Sequence, residues 1–433
     1  MKWPFYLVYK LLILLAFILY FPIILYKIIL QGSDLRSIKE RFGFLSKAKM
    51  KKFKNQPTIW VHAVSKEQVL TIKPLLEKIA EKYCDYELLI STVTYNGQQA
   101  AYEIDIEAEL IYFPLDFSWV VRRVIKKINP QLVLISETDL WPNFIRYAKK
   151  NKSKIMLVNG HLSDISAERY NYLGPLMTEM IKSIDLFTMQ SEKDVERILH
   201  LGAPRNKVYQ IGNLCFDFFA SGDLTENDKL ELELNSPLVF LVDNLAQDEI
   251  VDICQVYKRL KTQVAKFVML IKPEAKLEAS QIMASFAETG ARIDFEKKCE
   301  ECLKDFKRGR VVVVRPDDNL ANVYQQIDLI LAGGSLNQDS QLKLAAEIPY
   351  LTPIIFGPYD DNFLKNRKSL FHHKMGVKVS NYQELIEVLE YYLSEPKRIK
   401  MKADLIKNTI NANRLAVERN LTLLDEAVRA INN

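Results

Sequence analysis

From residue 58 onward, short apolar runs rich in β-branched residues alternate with stretches whose apolar positions recur every three or four residues. The runs predict strands at Thr58–Val64, Glu87–Val93, Leu110–Phe113, Leu132–Ile135, Lys154–Val158, Leu186–Met189 and Val208–Ile211. Val120–Ile128 is typical of what lies between them, with apolar residues at 120, 121, 124, 125 and 128 on one helical face. Strands that are continuously apolar and separated by helices predict parallel sheets covered on both faces. The pattern pauses over the polar stretch Asp217–Ser236, then restarts at Pro237–Val242, Phe267–Ile271, Arg310–Val314, Leu329–Ala332, Pro353–Phe356 and Val377–Val379. The expected fold is α/β, with two Rossmann-like doubly wound domains and a cleft between them. The boundaries read as 1–32 membrane anchor, 33–216 first domain, 217–236 linker, 237–395 second domain and 396–433 helical tail.

The anchor rests on Leu11–Tyr26, which carries no charge between Lys10 and Lys27. Sixteen helical residues reach about 24 Å, short of a roughly 30 Å hydrocarbon core. The apolar residues before Lys10 extend the run, and Lys10 can snorkel. A secretory signal would need a small-residue cleavage site, and the sequence after Lys27 offers a poor one. Lys27–Lys54 holds nine basic residues against Asp34 and Glu40, a local charge of +7. Such a segment marks the cytoplasmic side and attracts anionic headgroups. The expectation is an inner-membrane protein with its body on the cytoplasmic side, in contact with anionic lipids. The whole chain is +5, so with Lys2 and Lys10 also removed the remainder is −4. A slightly acidic body argues against nucleic acid as a partner.

Five cysteines in 433 residues make no disulfide framework. Cys299 and Cys302 form a CxxC with no second pair or nearby histidine, so no zinc site is expected. His372 and His373 are adjacent and would point apart on a helix. No metal or cofactor is predicted.

In parallel sheets, ligands sit beyond the carboxyl ends of the strands. That places His62–Gln68, Thr92–Gly97, Ser136–Asn143 and Asn159–Ser163 at the first domain's mouth, and Gly333–Ser335 and Gly357–Pro358 at the second's. Glu137 and Asp139 follow a buried strand, and Pro142 suits the first turn of the next helix. The pair is either helix-capping charge or working acid. His62 alone reads equally as a structural histidine, Gly333-Gly334-Ser335 is a weak phosphate signal, and His161 has no evident partner.

The motifs in order resemble the bacterial 3-deoxy-D-manno-octulosonic acid (Kdo) transferases. They are ERFG (Glu40–Gly43), IWVHAVS (Ile59–Ser65), FPLD (Phe113–Asp116), ETDLWPN (Glu137–Asn143), NGHLSDISAERY (Asn159–Tyr170), QSEKDVERILHLGA (Gln190–Ala203) and IGNLCFD (Ile211–Asp217). The second half adds GGS, PIIFGP (Pro353–Pro358) and Asn362-Phe363. The resemblance implies a GT-B glycosyltransferase moving Kdo from CMP-Kdo to lipid A precursor in lipopolysaccharide synthesis. By the same resemblance Glu137 and Glu67 are the candidate catalytic carboxylates. His62, Ser65, Trp141, Pro142, Asn143 and Ser163 would bind acceptor. Gly333, Gly334, Ser335, Glu347, Gly357, Pro358 and Asn362 would bind donor.

The chain also departs from that pattern. The glutamate of the family's SVGE falls on Gln68, which cannot accept a proton, and Glu67 lies one residue early. The arginines and histidine of PRHPER are absent around Lys272-Pro273-Glu274, and GNLKFD has Cys215 for its lysine. By the resemblance these losses fall mainly on groups that would hold the CMP and the sugar acid's carboxylate, and removing one group that stabilises the leaving phosphate costs about 3–4 kcal/mol. Three readings follow: an active Kdo transferase, a transferase with a changed donor, or a non-catalytic homologue that binds lipid A-like molecules or a partner protein.

Overall fold

The computed structural model describes residues 6, 9–11, 13–15, 35–53, 56–220, 238–264, 267–295, 310–316, 320, 326–337, 352–359, 376–413 and 415–432. The chain divides into two units, Met1–Phe218 with Asn413–Asn433, and Phe219–Ala412. Most of the predicted anchor lies outside the described residues, as do Glu347, Asn362, His372, His373, Cys299 and Cys302. Among the described residues no helix is long and apolar enough to cross a membrane.

The first unit opens with α1 (Leu35–Arg41) and α2 (Lys47–Lys52), then β1 (Thr58–His62), α3 (Lys66–Lys82), β2 (Glu87–Thr92), α4 (Tyr95–Tyr102), β3 (Glu109–Tyr112), α5 (Ser118–Ile128) and β4 (Leu132–Ser136). It continues through α6 (Pro142–Lys150), β5 (Lys154–Gly160), α7 (Asp164–Tyr172), α8 (Gly174–Ser183), β6 (Leu186–Met189), α9 (Glu192–His200), β7 (Val208–Gln210) and α10 (Cys215–Ala220). All seven strands pair in parallel, in the order β3-β2-β1-β4-β5-β6-β7. Every residue of β1 and β4 is buried, as continuous apolar runs predict. The predicted face of α5 is the buried one.

The edge of β3 is closed by the segment before β1. Glu40 accepts the Tyr112 amide at 3.0 Å and a 2.8 Å bond from Lys49, whose Nζ also donates to the Leu110 carbonyl. The ERFG motif therefore does edge-capping work, satisfying main-chain groups that an open edge strand would leave unpaired.

The second unit holds β8 (Leu238–Leu245), α11 (Ile250–Gln263), β9 (Phe267–Pro273), α12 (Ala279–Ala287), β10 (Arg292–Phe295), β11 (Arg310–Val313), β12 (Leu329–Ala332), β13 (Ile354–Phe356), β14 (Gly376–Lys378), α13 (Tyr382–Ser394) and α14 (Pro396–Asn413). Its sheet is also parallel, in the order β10-β11-β9-β8-β12-β13-β14. The units thus match the two doubly wound domains expected from the sequence.

Two boundaries differ from the sequence reading. The linker's first residues are helical, inside α10. The tail is two helices with different allegiances, because Leu415 takes a left-handed φ of 68° and breaks them. α14 stays with the second unit, while α15 (Ala416–Asn432) returns to the first. There Val417, Leu421, Leu424 and Val428 join Ile59, Val61, Ile72 and Leu134 in one apolar cluster. Burial of such side chains, at about 1.5–3 kcal/mol each, drives that return. Asp217 caps the helix by accepting the Leu415 amide at 2.7 Å and the Val417 amide. Asn413 Oδ1 accepts the Asn213 amide at 3.1 Å.

Candidate active site

Strand order reverses between β1 and β4, and the loops leaving those strands meet. Ser65 caps α3 by accepting the Gln68 amide at 3.4 Å. This turns Gln68 inward, where its Oε1 accepts the Val64 amide at 2.6 Å. Its Nε2 then donates to Glu137 Oε2 at 3.0 Å and Asp139 Oδ2 at 2.5 Å. One neutral amide therefore bridges two carboxyl groups at the switch point, where ligands of open α/β sheets sit.

Glu137 holds a left-handed φ of 57°, rare for a residue with a side chain. Such a residue costs about 1–3 kcal/mol and persists where the surroundings fix it. Here its amide donates to Val158 on β5 at 2.8 Å. Burial, then repulsion from Asp139, pushes the Glu137 carboxyl up to about 7, with Gln68 and His161 pulling down. Burial likewise raises Asp139. Burial thus works against charge on both carboxyl groups of the pair.

His161, without a visible partner in the sequence, has one in the fold. Its Nδ1 lies 3.1 Å from Asp194 Oδ1, and this bond raises the imidazole above its ordinary value. Burial opposes the Asp194 charge, but bonds from His161, the Leu162 amide and Ser191 hold it below the usual range. The His161 carbonyl accepts from Thr138 Oγ1 at 2.7 Å, and the Thr138 carbonyl from Tyr170 Oη at 2.6 Å. The His161–Asp194 pair is thereby tied to the Glu137–Asp139 loop. The identity of residue 194 was the missing signal, since it lies 33 positions away on α9.

The other first-domain candidates divide by depth. His62 is wholly buried, stacked on Phe113 at 3.8 Å, and burial lowers it to about 3. Its Nδ1 lies 3.1 Å from the Ser91 carbonyl and 3.0 Å from Ser91 Oγ, and its buried Nε2 meets no hydrogen-bond partner. Asn143 is also fully buried, its Nδ2 donating to the Asp116 carbonyl at 2.6 Å and its Oδ1 accepting from Ser118 at 3.1 Å. Pro142 is the buried first residue of α6. His62, Pro142 and Asn143 are thus all buried, and the side chain of Asn143 is turned to protein partners. Trp141 is half-buried against Phe113 at 5.8 Å, and Ser65 is also half-buried. Ser163 is exposed, accepting the Ser166 amide at 3.1 Å, and Glu67 lies in the first turn of α3.

In the second unit the reversal falls between β8 and β12. Gly333 and Gly357 are required by close backbone approach: a Cβ would stand 2.5 Å from the Asn244 carbonyl oxygen and 2.2 Å from that of Ser335. Ser335 is buried and accepts the Gly357 amide at 2.8 Å. The Gly334 amide donates at 2.7 Å to Glu249, which is 1% exposed and also accepts the Ala246 amide at 3.2 Å. A protein carboxylate thus occupies the Gly334 amide that the sequence offered to a phosphate. Pro358 keeps some exposed surface.

Residues 36–218 match the family model of 3-deoxy-D-manno-octulosonic-acid transferase (kdotransferase). This stretch is thus similar to the N-terminal domain of the Kdo transferases. Beyond it, the chain is 28% identical over 394 residues to the 3-deoxy-D-manno-octulosonic acid transferase of Chlamydia pneumoniae, covering 89% of this chain and 88% of that one. It is 23% identical to the Haemophilus influenzae enzyme of the same name, covering 89% and 90%. A bifunctional glycosyltransferase/methyltransferase of Fusobacterium nucleatum is 30% identical over 346 residues, and the chain spans 53% of that longer protein. Among solved structures, a putative UDP-N-acetylglucosamine 2-epimerase from Listeria monocytogenes superposes with a TM-score of 0.50 at 11% identity, covering 87% and 97%. That likeness supports the fold alone. Gln68, where the motif resemblance leads one to expect a glutamate, is the residue on which Glu137 and Asp139 converge.

Proposed function

We propose that this protein is a membrane-associated Kdo transferase, moving Kdo from CMP-Kdo to a lipid A precursor with its body on the cytoplasmic side. The observation that carries this reading is the Gln68–Glu137–Asp139 cluster at the switch point of the Kdo transferase domain. In the ionised state Glu137 takes the proton of the acceptor hydroxyl as that oxygen bonds to the anomeric carbon. The bond from that carbon to the CMP phosphate breaks, and CMP departs with the electron pair. Gln68 cannot take the proton; its amide fixes the direction of both carboxyl groups. The Asp194-backed His161 adds positive charge that favours the ionised Glu137. The uncharged Leu11–Tyr26 run and the +7 beyond it support the membrane association.

The test supplies the purified full chain with tetraacylated lipid A precursor and CMP-Kdo and reads product mass. Kdo addition that disappears in Glu137→Gln is the expected outcome. Transfer only from another nucleotide sugar would establish a changed donor. Lipid binding without transfer from any donor would establish the non-catalytic homologue.

A further inference from the structure

The described part of the N-terminal segment is helical and lies on the first unit. The Tyr9 hydroxyl donates to Asp116 Oδ2 at 2.8 Å. The Tyr6 ring sits beneath the Arg146 guanidinium, 4.4 Å from its centroid, and is 6% exposed. Asp116 is itself fixed by the amides of Asn143 at 2.9 Å and Phe144 at 2.8 Å. Beyond these two tyrosines the same segment turns Leu11, Leu14 and Leu15 outward.

Three residues after Asp116 an aromatic surface begins. Trp119 is 52% exposed and Phe44 57%, and the Arg123 guanidinium covers both rings at 5.4 and 5.0 Å. Phe42 and Phe117 each stack against Trp119 at 6.3 Å. The helix that bears Trp119 and the one that follows Phe44 carry no acidic residue. Glu40 on the helix before Phe44 is buried and paired with Lys49, and Lys52 is paired with Glu109. α5 has Arg122, Arg123, Lys126 and Lys127, and α2 has four lysines. Burial does not explain the arrangement, because the buried face of α5 is the valine and isoleucine side.

We propose that the Phe44–Trp119–Arg123 patch is a membrane-interface face, seated among the headgroups of an anionic bilayer beside the emerging N-terminal helix. Indole and phenyl rings lie at the level where hydrocarbon meets headgroup, and arginine reaches phosphate from there. The occupant is argued from charge: Arg123 on the rings, with the exposed Arg122, Lys126 and Lys127 on the same helix, matches an anionic lipid surface. The tyrosine latch holds the exposed leucines and the aromatic patch to one part of the body, so both enter the same bilayer. This deepens the membrane-bound reading and is independent of whether transfer occurs.

The full chain is reconstituted in vesicles of phosphatidylethanolamine and phosphatidylglycerol, with and without brominated lipid. The chain has four tryptophans, so the signal is the emission of the native protein minus that of Trp119→Phe. Position 119 is exposed, so this variant keeps the core intact. The expected result is loss of that emission with brominated lipid, larger for bromines near the headgroup than near the chain end. Two results overturn the proposal. In one, Trp119 is insensitive to brominated lipid and equally open to aqueous iodide with or without vesicles. In the other, concentration-dependent protection from iodide before vesicles are added shows that a second copy covers the face. Neither bears on transfer, which is assayed separately.

Discussion

The two units reverse strand order in the same way and use the resulting junction oppositely. Between β1 and β4 a neutral side chain, Gln68, donates into two carboxyl groups. Between β8 and β12 a carboxylate, Glu249, accepts from backbone amides. Burial pushes both Glu137 and Glu249 up to about 7. Yet Glu137 keeps exposed surface, whereas Glu249 has almost none. One topology thus yields an acid pair able to meet a ligand in the first unit and an internal clasp in the second. A raised carboxyl marks a reactive group only where solvent or substrate reaches it.

The widest separation is expected from Glu137→Gln, which should lower transfer by about 10²–10⁴-fold without altering the melting temperature of the second unit. Glu67→Gln should weaken transfer less, because Glu67 has no bond to Gln68. Glu249→Ala should do the reverse, leaving the Gly334 and Ala246 amides unpaired at about 1–3 kcal/mol, as measured by denaturant unfolding. If Glu249→Ala instead abolished transfer in a fully stable protein, the contrast between the junctions would collapse.

pH tests both junctions together. Asp116, Glu137 and Glu249 are each raised to about 7 by burial, from ordinary values of 3.8 or 4.5. Between those limits the native state binds more protons than the unfolded chain, so stability falls as pH rises through the window. The urea midpoint should be higher near about pH 5 than near about pH 8. Transfer should follow the opposite course, rising through about 7 as Glu137 ionises. A smaller effect is expected from Asp217→Ala, which removes the cap of α15 at about 0.5–2 kcal/mol and is read as a lowered unfolding midpoint. Smallest of all is His161→Gln. Loss of a cation near Glu137 should move the acid limb of the pH–rate profile upward while leaving its plateau.

The strand pattern was legible because parallel strands buried on both faces are apolar without interruption, as LVLIS of β4 shows. β10 escaped notice: RIDF places charge at two of four positions, which an edge strand tolerates and a central one does not. The loops of the site were legible from the rule that ligands sit at strand ends, and Glu137 with Asp139 from their place after β4. Depth was not legible. WPN reads identically whether its asparagine faces a ligand or, as here, closes on Asp116 inside the core. Pairings across distant elements, such as His161 with Asp194 and Gly334 with Glu249, were hidden for the same reason. Periodicity reports which face a residue occupies, and these pairs depend on which faces meet.

The return of α15 sets a timetable for synthesis. Its capping residue Asp217 leaves the ribosome nearly 200 positions before the helix it caps. At about 5–20 residues per second that interval is roughly 10–40 s. During it the second unit is being made, its last residues preceding α15 by only a few positions, while part of the apolar layer beneath the future helix stands open. Nascent chains should therefore keep the first unit open to protease until α15 is released, although most of that unit is translated first.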